Sequence, residues 1–224
     1  MDEQAIMEVI ITRKSIRKYK PDPIPADVVE KLIEAARWSP STDNAQAWRF
    51  IAVRDRNIIE QLGVVSGTGV FTRLRIQQFL TGQLQKRFKD VPPEKKAQVF
   101  KKLTSGFMSG YLGTAPLVIV VCGHKNSVAA MVYDCSAALE NILIAAHGLG
   151  LGATWTQAVT SDPRDEARTK AVLNIPEDWK VISAVSIGYP GEAPGPRPRK
   201  PLEDIVYYDR WGQDKPRGGE VVNE

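Results

Sequence analysis

Cysteine and histidine are scarce in this chain, with two of each. Cys122 and Cys135 form no CxxC pair and no spaced framework, so neither a disulfide scaffold nor a dithiol redox centre is expected. Both are expected as buried, reduced thiols. His124 and His147 have no carboxylate or cysteine at ligand spacing beside them, and no metal site is expected. Long apolar runs are missing as well. No segment approaches the ~18 residues needed to span a bilayer, and the opening MDEQAIMEVI is acidic where a secretion signal would be basic. The expectation is a cytoplasmic protein without membrane contact. Nor does one charge dominate: 30 Lys and Arg stand against 26 Asp and Glu, a net +4. Such a balance does not by itself make a nucleic-acid binder, and nucleic acid is not expected as a partner. The rival reading, a basic protein gripping phosphates, predicts salt-dependent DNA affinity.

The usual nucleotide and hydrolase signatures are missing too. There is no GxxxxGK[ST], no GxSxG and no Ser/His/Asp set. Gly67-Thr68-Gly69 begins like a dinucleotide fingerprint, but position 72 is Thr and no strand precedes it. Gly148, Gly150 and Gly152 follow a helical segment and are expected as its cap and a tight turn into a strand.

What is present suits one α+β domain over residues 1–224, long enough to bury a core without disulfides. Helices are expected at 2–12, 26–37, 127–147 and 163–173, the last announced by Ser161-Asp162-Pro163. Strands are expected at 48–54, 117–122 and 181–187. Helix 127–147 is apolar on most faces, so it belongs at the centre of the molecule or in a dimer interface. The glycine-punctuated stretch 63–110 is expected as a lid or substrate excursion of one or two helices, and 203–224 as a C-terminal tail. The strands do not alternate regularly with helices, so a mixed, mainly antiparallel sheet sandwiched by helices fits better than a doubly wound fold.

Three polar segments stand out. Arg13-Lys14-Ser15-Ile16-Arg17 follows the first helix; in an extended chain Arg13, Ser15 and Arg17 share a side and suit a phosphate dianion. Alone, the segment also fits a solvated basic face. Pro40-Ser41-Thr42-Asp43-Asn44, with Gln46-Ala47-Trp48 after it, offers short donors and acceptors between a helix and a strand, or simply a capping turn. Gly195-Pro196-Arg197-Pro198-Arg199-Lys200 projects Arg197 and Arg199 to one side of a proline-stiffened backbone, or is a basic tail.

In this order, with GLGxxW after the long helix and IGYP after the last strand, the segments resemble the nitroreductase family over most of the chain. The resemblance implies an α+β fold, a homodimer and FMN bound at the subunit interface. It places Arg13, Lys14, Ser15 and Arg17 at the FMN phosphate, ribityl chain and pyrimidine edge. Pro40, Ser41, Thr42 and Asn44 then reach the flavin from the partner subunit, and Trp155, Thr156 and Gln157 line the ring near its reactive nitrogen. Arg197 and Arg199 close on the phosphate. Two positions depart from the pattern: Ala47 stands where proline is usual, which loosens the turn, and Gln157 stands where a small residue is common. The implied activity is reduction of nitroaromatics, quinones or related small acceptors by NAD(P)H in a ping-pong cycle. Arg17 is the implied positive charge beside the ring edge that becomes anionic, and no side chain is implied as catalytic. Alternatives on the same pocket are a dehalogenase, a flavin-degrading relative and a non-catalytic FMN-binding protein.

Overall fold

The computed structural model describes residues 3–81, 88–104, 110–127 and 131–213. Parts of the expected excursion (82–87 and 105–109), the start of the long helix (128–130) and the end of the tail (214–224) lie outside the described residues. Met1–Pro194 and Gly195–Glu224 are two compact units.

The first unit is built on four strands: β1 (Trp48–Val53), β2 (Leu117–His124), β3 (Gly152–Thr156) and β4 (Trp179–Gly188). They form one antiparallel sheet in the order β1-β2-β4-β3. The central strands β2 and β4 are covered on both faces, which is why LVIVVC and VISAVSI are apolar without alternation. Side chains of successive residues still divide between two core layers. Leu117, Ile119 and Val121 join Leu32, Ala36, Leu139 and Ile142, from α2 (Ala26–Arg37) and α5 (Met131–Gly148). Val118, Val120 and Cys122 join Ile59 and Leu62 of α3 (Arg56–Thr81), with Val172 and Leu173 of α6 (Pro163–Leu173) against them. The sheet is therefore sandwiched by helices, as expected. Among the described residues the only parallel pairing is an isolated bridge, Ser15 to Ala153.

Helix α6 starts where its cap signal says: the Asp162 carboxylate accepts N–H bonds from Arg164 and Asp165 at 2.7 and 3.1 Å, with Pro163 in the first turn. GVVSGTGVF lies within the continuous helix α3, with Ile59, Leu62 and Val65 in the core. Its glycines mark close packing. A Cβ on Gly63 would stand 2.5 Å from Gly113 Cα, and one on Gly69 would stand 2.4 Å from the Ala158 carbonyl. The next described helix is α4 (Pro93–Thr104). Helix α1 (Glu3–Thr12) precedes the whole arrangement and buries none of its residues.

Cys122 and Cys135 are free and buried. Burial pushes both thiols up to about 12, so neither is a thiolate at neutral pH. Among the described residues no helix is long and apolar enough to cross a membrane.

Candidate functional site

Residues 13–20 leave α1 as an extended strap laid across the ends of β3 and β4. The two strands meet there as a glycine pair, Gly152 opposite Gly188. Their missing side chains make room: a Cβ on Gly152 would lie 2.6 Å from Ile16 Cβ, and one on Gly188 2.9 Å from Tyr19 Cβ. The strap is fastened along its length. Ile16 donates its N–H to the Ala153 carbonyl at 3.0 Å, and its own carbonyl accepts from Thr154 Oγ1 and the Tyr19 hydroxyl. Lys20 donates to the Tyr189 carbonyl at 2.9 Å, and Gly191 donates to that of Lys18 at 2.8 Å. Burial holds the Tyr19 phenol well above its ordinary value, only partly offset by the Ser186 and Thr154 hydroxyls, so it remains a proton donor.

With Ile16 buried, the alternation of an extended chain turns Ser15 and Arg17 outward, and both are exposed. Arg13 is half-buried, with Nε 3.3 Å from Glu140 Oε1 on α5. Lys14 is half-buried beside it. The main-chain N–H groups of Arg17 and Lys18 donate to one carboxylate oxygen of Glu192 at 2.7 and 3.2 Å. The Arg17 guanidinium lies 5.7 Å from the centroid of the Tyr111 ring, within cation–π range.

The second segment is held by α5. Asn141 Nδ2 donates to the Ala35 carbonyl and to Ser39 Oγ at 3.0 and 2.8 Å. The buried carboxylate of Asp134 accepts from the Thr42 N–H at 3.2 Å and from its hydroxyl at 3.3 Å. Ser41 Oγ accepts from the Gln46 N–H at 3.1 Å, and Gln46 Nε2 donates to Asn44 Oδ1 at 3.1 Å. These bonds hold a strained backbone, with φ of 51° at Asp43, 52° at Asn44 and 47° at Gln46. Thr42 is thereby committed to anchoring the loop, while Pro40 and Asn44 are exposed and Ser41 is half-buried.

In the third segment Trp155 Nε1 donates to Ser183 Oγ, which donates onward to the Thr156 carbonyl at 2.7 Å. Thr156 Oγ1 accepts from the Ala158 N–H, and Gln157 is exposed at the start of a short 3-10 turn, Ala158–Thr160. Because Ile16 is bonded to Ala153 and Thr154, the strap and this segment are neighbours. The loop 39–46 is not joined to the strap by any hydrogen bond or ion pair among the described residues. Arg197 and Arg199 are exposed in the second unit.

Four residues of this arrangement were not anticipated: Asp134, Glu140, Glu192 and Tyr111. A signal existed for the first two, as the only acidic residues in an otherwise apolar helix. The matches to known proteins are decisive about ancestry. Residues 10–189 match the model of the nitroreductase family. The chain belongs to the nitroreductase family. Among its relatives is a protein of Methanothermobacter thermautotrophicus, named provisionally as an NADH dehydrogenase/NAD(P)H nitroreductase, 30% identical over 92% of this chain and 87% of its own length. Another is an iodotyrosine deiodinase of Nematostella vectensis, 27% identical over 87% of this chain and 71% of its own. A solved family member, the nitroreductase with bound FMN from Bacteroides fragilis, is 25% identical with a TM-score of 0.64, covering 89% of this chain and 96% of that one.

Proposed function

We propose that this chain is an FMN-dependent oxidoreductase that uses NAD(P)H to reduce nitroaromatics, quinones or related small acceptors, working as a homodimer with FMN at the subunit interface. The observation that carries the reading is the strap. It presents two guanidiniums and a hydroxyl, each able to donate, on a backbone pinned at both ends to the sheet. Among the described residues only Arg13 of these groups has an acidic side-chain partner, and that partner, Glu140, is itself half-buried. A phosphate dianion fits such a donor set. Bound FMN would supply the relay of two electrons from NAD(P)H to the acceptor in separate half-reactions.

The chain's own residues bind and orient. Arg13 and Ser15 hold the phosphate, with Arg197 and Arg199 as its further partners on the family pattern. Arg17 faces the pyrimidine edge and stabilises the negative charge that gathers there. Backbone at Trp155–Gln157 lines the ring. The dimer is supported by apolar surface that one chain leaves uncovered: Ile6, Met7, Ile10 and Ile11 on α1, with Trp38, Val132, Tyr133 and Leu149. The loop Pro40–Asn44, which among the described residues has no hydrogen bond or ion pair to its own strap, suits delivery to the partner's flavin.

Purified protein is expected to carry the visible absorption of FMN, to bleach anaerobically with NADH or NADPH, and to regain colour with a quinone or nitroarene. Flavin that stays oxidised with both nicotinamides would rule out the enzyme and leave a flavin carrier. The deiodinase relative favours one second reading, reductive dehalogenation in the same pocket; an iodotyrosine included among the acceptors separates the two. Arg199→Ala is expected to weaken FMN binding about tenfold or more, since a charge-assisted phosphate bond is worth about 1.5–3 kcal/mol. Equilibrium dialysis reads this directly, and unaltered affinity would remove Arg199 from the phosphate site.

A further inference from the structure

A carboxylate in the middle of a phosphate-binding cluster is unexpected, because it opposes the charge that the cluster is there to bind. Glu192 is such a group. It follows the end of β4 in the chain, and its Oε1 takes the N–H groups of two successive strap residues, Arg17 and Lys18. Gly191 adds a bond to the strap through the Lys18 carbonyl. It lies so flat against the strap that a Cβ there would stand 3.2 Å from the carbonyl carbon of Tyr19. The Glu192 carboxylate is thus engaged by the main chain, and among the described residues it forms no ion pair with the Arg13 or Arg17 guanidinium. The Arg17 side chain meanwhile rests over Tyr111 in the short 3-10 segment Gly110–Thr114. Backbone and head group of one arginine are held from two directions.

We infer that Glu192 is a positioning residue that fixes Arg17 against the flavin, tuning how strongly the site prefers reduced over oxidised FMN; this rests on the flavin reading of the strap. Fixed donors contribute most where charge develops, because they need no reorganisation when it does. A strap free to move at Arg17 and Lys18 would still bind phosphate through Arg13 and Ser15, but its donor at the ring edge would be diluted over many positions.

The test compares Glu192→Ala and Glu192→Gln in otherwise intact FMN-loaded protein and in the Arg17→Ala background. The readouts are FMN affinity by fluorescence, midpoint potential and melting temperature. Glu192→Ala is expected to weaken oxidised FMN about tenfold through the two lost charge-assisted bonds. It is also expected to reduce the preference for reduced FMN about threefold, a fall of about 14 mV for a two-electron couple. Glu192→Gln keeps an oxygen acceptor for the two N–H groups and is expected within about threefold of wild type in affinity. With Arg17→Ala already present, Glu192→Ala is expected to leave the potential unchanged, since coupled residues are not additive. A full potential shift in that background would show that Glu192 does not act through Arg17. Tighter FMN binding by Glu192→Ala would mark it as mere opposing charge. Either result overturns the inference while FMN binding by the wild type stands; a wild type that takes up no FMN overturns the flavin reading and the inference together.

Discussion

Gly152→Ala is expected to destabilise the protein by about 1–3 kcal/mol, the usual cost of forcing an extra methyl into a filled site, and to remove most of its FMN affinity. The new methyl would lie 2.6–2.8 Å from Cβ, Cγ2 and Cγ1 of Ile16. Those atoms sit at the branch of a buried side chain, so they cannot swing aside as a flexible tip would. The strap must lift, and with it go the Ile16 bonds to Ala153 and Thr154 that set Ser15 and Arg17 outward. A chain of this size loses roughly 2–4 °C of melting temperature per kcal/mol. Gly150→Ala is the control. Gly150 has φ +75° and nothing within 4 Å of its Cβ position, so alanine there is expected to cost about 1–2 kcal/mol of backbone strain without touching the strap. Thermal melts and FMN titrations of both variants decide the matter. Equal loss of FMN from the two, or unchanged FMN binding by Gly152→Ala, would show that the glycine seat does not set the site.

The same glycines show where the sequence is legible and where it is not. Gly148, Gly150 and Gly152 are rightly read as a helix end and a turn into β3. What the local pattern cannot reveal is that Gly152 pairs with Gly188 and seats residue 16, because both partners are distant in the chain. The helix start at Asp162-Pro163 and the buried strand LVIVVC are local matters, decided by capping and by continuous apolar character, and both stand as read. The stretch after Gly63 shows the converse. Glycine lowers helix propensity locally, yet here it admits Gly113 and the Ala158 carbonyl to close contact, and tertiary packing prevails. The arginines of the strap were legible as a charged, alternating run. Their orientation depends on Glu140, Glu192 and Tyr111, none of which has a local signal tying it to position 13 or 17.

A heterodimer joining one Asp134→Ala subunit to one Arg13→Ala subunit is expected to bind a single FMN at near wild-type affinity, whereas each homodimeric variant binds both weakly. Asp134 anchors the loop through the Thr42 N–H and hydroxyl, against a backbone with positive φ at Asp43, Asn44 and Gln46. Conformations of this kind cost about 1–3 kcal/mol each and persist only when their surroundings over-determine them. Removal of the carboxylate loses bonds worth about 1.5–3 kcal/mol, and the loop relaxes away from the geometry that presents Pro40, Ser41 and Asn44. If that loop serves the partner's flavin, the defect from Asp134→Ala falls in the opposite site, the one already damaged by Arg13→Ala. The other site then receives an intact strap and an intact loop. If instead the loop serves its own chain, the two lesions fall in different sites and no site remains whole. Counting bound FMN per heterodimer, with differently tagged subunits purified in tandem, separates one tight site from none. The result also bears on stability: Asp134→Ala without FMN is expected to melt lower, whereas half-buried Glu140, in an ion pair with Arg13 that solvent still reaches, is expected to matter less to the melting temperature when replaced by Gln.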